Sequence, residues 1–216
     1  IDKLNDDVRL AKQFCFANNV YGAESYIGGF SGYVMELLVI HYCGFYNLVK
    51  AAARWKEKEV IDISKHYNKD ALKLLNKSKT YSPLIVIDPL QKDRNAAAAL
   101  TLAKFNKFVN ICRLYLKKPP LRFFEREEIK IKDLKKKKAI VLEIAPLKGK
   151  EDVVGSKILK VFEFIKRKLI ENDFEIRESD WQWNKNAILY YTLKSKTLDK
   201  FKKHYGPPID KGQDLL

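Results

Sequence analysis

An α+β protein in two parts is what the sequence predicts, and three observations carry the prediction. Apolar helical runs dominate the first 116 residues. Two compact β runs, Val60–Ile63 and Leu84–Ile87, interrupt them, and the chain beyond Pro119-Pro120 reads strand, helix, strand, strand. With 216 residues and 46% apolar side chains, the chain can bury a real core in one large domain or two small ones.

Taken in order, the spacing predicts a helix over 6–18, with Val8, Leu10, Ala11, Phe14, Cys15 and Ala17 apolar and a stop at Asn18-Asn19. Gly28, Gly29 and Gly32 then put three glycines in five residues, where the backbone needs positive φ or a close approach. A helix over 33–43 follows, apolar on nearly every face and so expected to be buried, with Ser31 as N-cap and Gly44 as the residue past its end. A helix N-terminus beside a glycine turn can hold an anion such as a phosphate, and tight helix-to-sheet packing explains the same glycines. A second helix over 45–55, the strand at 60–63 and a lysine-rich insertion over 66–80 with one or two helical turns come next. Leu84–Ile87 closes at Asp88-Pro89, and a helix running from the alanines at 96–99 to about Leu116 has Asp93 or Asn95 as its cap.

Pro119-Pro120 marks the predicted boundary, giving a central domain over 1–118 and a C-terminal domain over 119–216. Beyond the run Lys135, Lys136, Lys137, Lys138, a strand over 139–144, an amphipathic helix over 157–170 and strands over 174–183 and 187–193 are expected. Asn184-Lys185-Asn186 joins the last two as a hairpin. This order opens a ferredoxin-like α+β unit. A helix over 196–205 and a break at Gly206-Pro207-Pro208 end the chain.

Charge narrows the partners. The net charge is +15 with a pI near 9.5, which favours a polyanion, nucleic acid before a membrane surface. Residues 1–116 carry 17 basic and 11 acidic side chains and residues 117–216 carry 25 and 16, so both parts can touch one long anion. Cys15, Cys43 and Cys112 are far apart in apolar runs, which argues for buried thiols in a reducing cytoplasm. No apolar run reaches membrane-spanning length. His41, His66 and His204 lack partners at metal spacing; His41 reads as a hydrogen-bonded core residue and Glu36 as a lone buried carboxylate. Asp88 is either a functional carboxylate or a local turn-former, and Arg94 beside a helix start is the better phosphate contact. Trp181 and Trp183 share a strand face and either stack on bases or pack across the sheet. No P-loop, dinucleotide fingerprint or nucleophile elbow is present.

Two motifs go further. Gly29-Phe30-Ser31-Gly32-Tyr33 followed by Glu36–Tyr42, and Asp88-Pro89 with Arg94-Asn95-Ala96-Ala97, together resemble the archaeal (class I) CCA-adding enzymes. These are tRNA nucleotidyltransferases related to poly(A) polymerase and oligoadenylate synthetase. Arg54-Trp55 and His204–Pro208 fall in the matching order, so the resemblance runs from about residue 6 to 208. It implies an oligoadenylate-synthetase-like central domain, and transfer of CMP and AMP from CTP and ATP to the 3′ end of tRNA. The family's N-terminal catalytic head, with its Gly-Ser motif and the acidic pair that binds Mg2+, is not matched here. The expectation is therefore a central and C-terminal portion, truncated at both ends, inactive alone and with no metal or cofactor bound by this chain. By the same resemblance Gly29–Tyr33 meets the nucleotide and the tRNA 3′ end. Arg54, Asp88, Arg94 and Asn95 make tRNA or domain contacts; Lys135–Lys138, read from charge, either form a solvated face or follow the tRNA backbone. Some relatives place an arginine where this chain has Gly28. Partners would be the tRNA acceptor–T-stem and a separate head domain, with oligomeric state open, a homodimer included. A stand-alone RNA-binding protein is the alternative, and a membrane-surface partner the weaker rival.

Overall fold

The computed structural model describes residues 2–67, 70–126, 129–135, 137, 139–195 and 197–198. It is α+β and divides into two compact units, Ile1–Glu128 with Lys148–Ser156, and Ile129–Leu147 with Lys157–Leu216.

In the first unit, α1 (Asp2–Ala17) buries Ala11, Phe14 and Cys15. Asn19 stops it at φ 55°, the left-handed conformation that asparagine tolerates. The next helix, α2 (Gly32–His41), is capped as expected: the Ser31 hydroxyl accepts the Val34 N–H at 3.2 Å. Val34, Met35, Leu37, Leu38 and Val39 are buried, but Tyr33, Ile40 and His41 are exposed. The expectation of a wholly buried helix fails, because α2 keeps one flank open to solvent. His41 is on that flank, not in the core, and Glu36 is half-exposed in an ion pair with Lys12 at 2.6 Å.

The helix ends two residues earlier than expected, at His41. Cys43, at φ 54°, takes the left-handed position, and its N–H reaches the Ile40 carbonyl while that of Gly44 reaches Val39. This is a Schellman ending displaced by one residue. Gly44 (φ 128°) instead opens α3 (Phe45–Ala52). The displacement exposes the Cys43 thiol, against the expectation of burial, while Cys15 and Cys112 are buried.

Strand β1 (Glu59–Asp62) pairs in parallel with a later one, and α4 (Ala71–Leu74) and a short 3-10 turn at Lys77–Lys79 fill the lysine-rich insertion. Lys58 ties the insertion's return, its ammonium donating to the carbonyls of Thr80, Tyr81 and Ser82 at 2.7, 2.8 and 3.2 Å. The partner strand β2 (Leu84–Ile87) is buried throughout. The alanines at 96–99 do not begin the next helix. α5 (Leu102–Lys117) starts after Thr101, whose hydroxyl accepts the Lys104 N–H at 3.4 Å. Neither Asp93 nor Asn95 is the cap. The buried Asn95 accepts the N–H groups of Val86 and Ala97 at 3.0 and 2.9 Å and donates to the Ser82 hydroxyl at 3.0 Å. Aromatic rings fill the core: Phe14 meets Phe45, Tyr115, Phe123 and Phe124 at 5.4–6.0 Å, and Trp55 stacks on Phe105. Phe123 and Phe124 come from the 3-10 turn Leu121–Phe124, just after the two prolines.

The second unit contains α6 (Ile131–Lys135), β3 (Ala139–Ile144), most of α7 (Glu151–Glu171), β4 (Ile176–Trp183) and β5 (Ala187–Leu193). Its antiparallel sheet has the order β3-β5-β4, with Trp181 opposite Leu189 and Trp183 opposite Ala187. Ile158 and Phe162 of α7 are buried, and Phe162 stacks on Tyr191 at 5.2 Å. α7 begins six residues before the expected start, at Glu151. Most of the expected helix over 196–205, and Gly206-Pro207-Pro208, lie outside the described residues. Among the described residues, no helix is long and apolar enough to cross a membrane.

Thr101 caps α5 and also donates its hydroxyl to the Gly28 carbonyl at 3.1 Å. Thr101→Ala is therefore expected to lower unfolding free energy by about 1–2 kcal/mol, measured by urea denaturation.

Candidate functional site

The glycine turn is built by close backbone approach. The Gly28 N–H bonds the Glu24 carbonyl at 2.8 Å, Gly29 bonds Gly22 at 2.7 Å, and Phe30 bonds Val20 at 2.8 Å. Gly28 sits at φ 60°, and a Cβ there would lie 2.5 Å from Thr101 Cγ2. A Cβ on Gly29 would lie 2.4 Å from the Val20 carbonyl oxygen. Packing thus accounts for both glycines, and their amides are occupied by the chain itself. It also explains why an arginine is not accommodated at position 28 in this backbone. Phe30 is buried against Phe108 at 4.6 Å. Of Gly29, Phe30, Ser31, Gly32 and Tyr33, the last three face outward at the start of α2, with Tyr33 37% exposed.

Asp88 brings the two motifs together. It leaves the end of β2 with its side chain 3% exposed, and a buried carboxylate must be met by donors. Oδ1 accepts the Tyr33 hydroxyl at 3.1 Å and the Leu90 and Gln91 N–H groups at 2.9 and 3.4 Å. Oδ2 accepts Arg94 Nη1 at 2.9 Å. The Arg94 guanidinium remains 55% exposed and lies 5.8 Å from the Tyr33 ring centroid. Burial pushes the Asp88 carboxyl up, but the Leu90 amide, the Tyr33 hydroxyl, the Gln91 amide and Arg94 outweigh it and hold it below its usual value. Burial, then the bond to Asp88, raises the Tyr33 hydroxyl, so it stays protonated as a donor. The result is an exposed cation and an exposed ring fixed side by side, an arrangement suited to a phosphate and a base.

The remaining predicted residues separate. Asn95 is buried and structural, tying β2 to its following turn. Arg54 is exposed past the end of α3 and takes no part in the bonding around Asp88. Lys137, in the second unit, lies 3.7 Å from Glu178, and Lys135 closes α6; Lys136 and Lys138 lie outside the described residues. Two neighbours of Gly32 were missed by sequence reasoning. A Cβ on Gly32 would meet the Tyr21 hydroxyl at 2.9 Å and Lys12 Nζ at 3.6 Å. Nothing local in the sequence marks Lys12, because its place depends on how α1 packs on α2. Among the described residues, no group of three or more His, Cys, Asp or Glu side chains is arranged to hold a metal ion. Both Asp88 oxygens already face donors, so these residues do not fit a metal ion.

Two outcomes follow from the Asp88 geometry. Asp88→Ala strands the Tyr33 hydroxyl and two amides and should cost about 2–3 kcal/mol of stability, against about 1 kcal/mol for Tyr33→Phe, in chemical denaturation. Because the folded carboxyl is depressed, its stabilisation is fully present above the unfolded value near pH ~4 and is lost as pH falls through the lower folded value. Wild type should therefore lose more stability on acidification below about pH 4 than Asp88→Asn does.

Comparison with known proteins meets this geometry. Residues 6–125 match the family model described as tRNA nucleotidyltransferase, second domain. The chain is 39% identical over 212 residues to the CCA-adding enzyme of Nanoarchaeum equitans, covering 96% of this chain and 52% of that protein. It is 39% identical over 215 residues to that of Methanosarcina barkeri (94% and 45%), and 30% identical over 220 residues to that of Methanocaldococcus jannaschii (96% and 48%). The chain thus spans about half the length of the curated relatives it matches. Both stretches that meet at Asp88 lie inside the matched domain, and on that ground this chain belongs to the tRNA nucleotidyltransferase family, with the archaeal CCA-adding enzymes as its relatives.

Proposed function

We propose that this chain is the tRNA- and nucleotide-holding portion of a CCA-adding enzyme, working with a catalytic head to add CCA to tRNA 3′ ends from CTP and ATP. The observation that carries it is the Asp88 carboxylate, which joins Tyr33 of the glycine stretch to the half-exposed Arg94 of the second motif. In this reading Tyr33 offers a stacking face to the terminal base, and Arg94 meets a phosphate of the RNA end or of the triphosphate. Gly32 keeps the approach to Tyr21 and Lys12 open. Mg2+ and the phosphoryl-transfer step fall to the head, where an acidic pair would hold the metal ions whose positive charge such chemistry needs. The charge of +15 supports a phosphate-led grip on the acceptor–T-stem.

Finer structural readings belong to the same proposal. The strand order β3-β5-β4 with α7 between the first two strands supports a ferredoxin-like second part, and the helix-rich first part supports an oligoadenylate-synthetase-like one. A central domain over 1–118, a C-terminal domain over 119–216, a backbone-tracking role for Lys135–Lys138 and a cytoplasmic setting complete it.

The test is CCA addition to a tRNA minihelix lacking its 3′ CCA, with CTP, ATP and Mg2+, with and without a separately supplied head domain. Activity only in the mixture is expected. Binding of the minihelix with no addition in the mixture would favour a stand-alone RNA-binding role, and no binding at all would overturn both. Affinity should also fall by at least about tenfold for a fourfold rise in salt, and a flat curve would contradict phosphate-led binding.

A further inference from the structure

Besides Thr101, a second set of contacts holds the chain just before the glycine stretch. Residues 24–28 form a tight turn in which the Glu24 carbonyl accepts the N–H groups of both Ile27 and Gly28, leaving Ser25 and Tyr26 at its apex. The start of α7 is fitted to that apex. Asp152 Oδ1 accepts the Ser25 N–H at 3.1 Å and the Ser25 hydroxyl at 2.7 Å. With its one proton given to Asp152, the Ser25 oxygen accepts from the Ser156 hydroxyl at 2.8 Å. Tyr26 donates its hydroxyl to Glu151 Oε1 at 3.0 Å. Burial, helped by Glu151, pushes that hydroxyl to about 12, so it remains a donor at neutral pH.

Gly155 is the most telling residue. A glycine within the 21-residue α7 costs about 1 kcal/mol relative to alanine, so its presence calls for a reason. A Cβ at 155 would lie 2.4 Å from Tyr26 Cδ1. The helix backbone therefore lies directly on the tyrosine ring, closer than any side chain permits. Three hydrogen-bonding side chains and one missing Cβ converge on two residues, which lie two and three positions before Gly28.

We propose that Glu151, Asp152, Gly155 and Ser156 are positioning residues for the Gly29–Tyr33 stretch, fixing through the 24–28 turn where Ser31, Gly32 and Tyr33 meet the 3′ end of an RNA. This rests on the functional reading given above. It adds four residues more than 115 positions away in sequence to the machinery of that end. They touch no RNA themselves. Their effect is confined to the unpaired 3′ nucleotides and leaves duplex binding alone.

Two variants of the 216-residue chain test it. Ser25→Ala with Tyr26→Phe deletes the side-chain hydrogen bonds without adding volume, and Gly155→Leu drives a side chain into the ring. Two readouts are taken: amide hydrogen exchange over 28–30, and fluorescence anisotropy with an acceptor-stem minihelix carrying its unpaired 3′ nucleotides against the same duplex made blunt. Exchange is expected to quicken by about tenfold, and the preference for the overhang to fall by a similar factor, with blunt-duplex affinity unchanged. Variants that melt cooperatively yet keep wild-type exchange and overhang preference would overturn the proposal. So would equal loss of overhang and blunt binding, the mark of a merely structural role. If Gly155→Leu does not fold, the hydroxyl-deleted variant decides alone. A wild-type chain without overhang preference would refute the functional reading, and the exchange measurement would still decide whether 151–156 positions the turn.

Discussion

A buried carboxylate with both oxygens engaged is the constraint on which the first unit's surface depends. Asp88 is carried to its place by β2, whose four apolar residues fix its burial and its register against β1. Once there, an ionised carboxylate away from water has to gather donors, and it gathers them from its own loop and from the start of α2. The chain beyond β2 and the chain beyond the glycine turn are thus fastened at one point. Arg94 gains a fixed direction from this, although its guanidinium stays half in solvent. An exposed arginine held by a buried acid loses less entropy on meeting a phosphate than one free on the surface.

The glycine turn serves the same end by different means. Its amides are consumed internally, so it does not act as an anion cradle over 28–30. What the missing side chains permit is proximity: Gly28 against Thr101 and Gly29 against the Val20 carbonyl. That proximity delivers Ser31, Gly32 and Tyr33 to the surface at a defined height, where Tyr33 can reach Asp88. Polar bonding at Asp88 and close packing at the glycines therefore act on one short stretch from opposite ends.

Much of the fold was legible because it was written in local pattern. The Ser31 cap, the β2 run and the 184–186 hairpin lie where period and turn chemistry put them, and β1 falls one residue before its expected span. What failed to show was decided by residues distant in sequence. Asn95 looked like a helix cap, but its amide is claimed by Val86 and Ser82 across the strand, and Thr101 takes the cap instead. Gly44 looked like the end of α2, yet Cys43 accepts the left-handed conformation one residue sooner. His41 looked buried because apolar neighbours surround it in sequence, while one flank of the short helix is uncovered. At the site, the residues were legible one by one but their meeting was not. Tyr33 and Asp88 are 55 positions apart, and Asp88 proved to be both a local turn-former and a long-range anchor.

In the proposed function, the surface joined at Asp88 receives an RNA 3′ end. Photocrosslinking tests it most directly: a tRNA minihelix carrying a photoreactive nucleotide at its 3′ terminus is irradiated with the chain, and the labelled peptides are identified by mass spectrometry. Label is expected on the peptides containing Tyr33 or Arg94. Label confined to other peptides, with the minihelix bound, would contradict it.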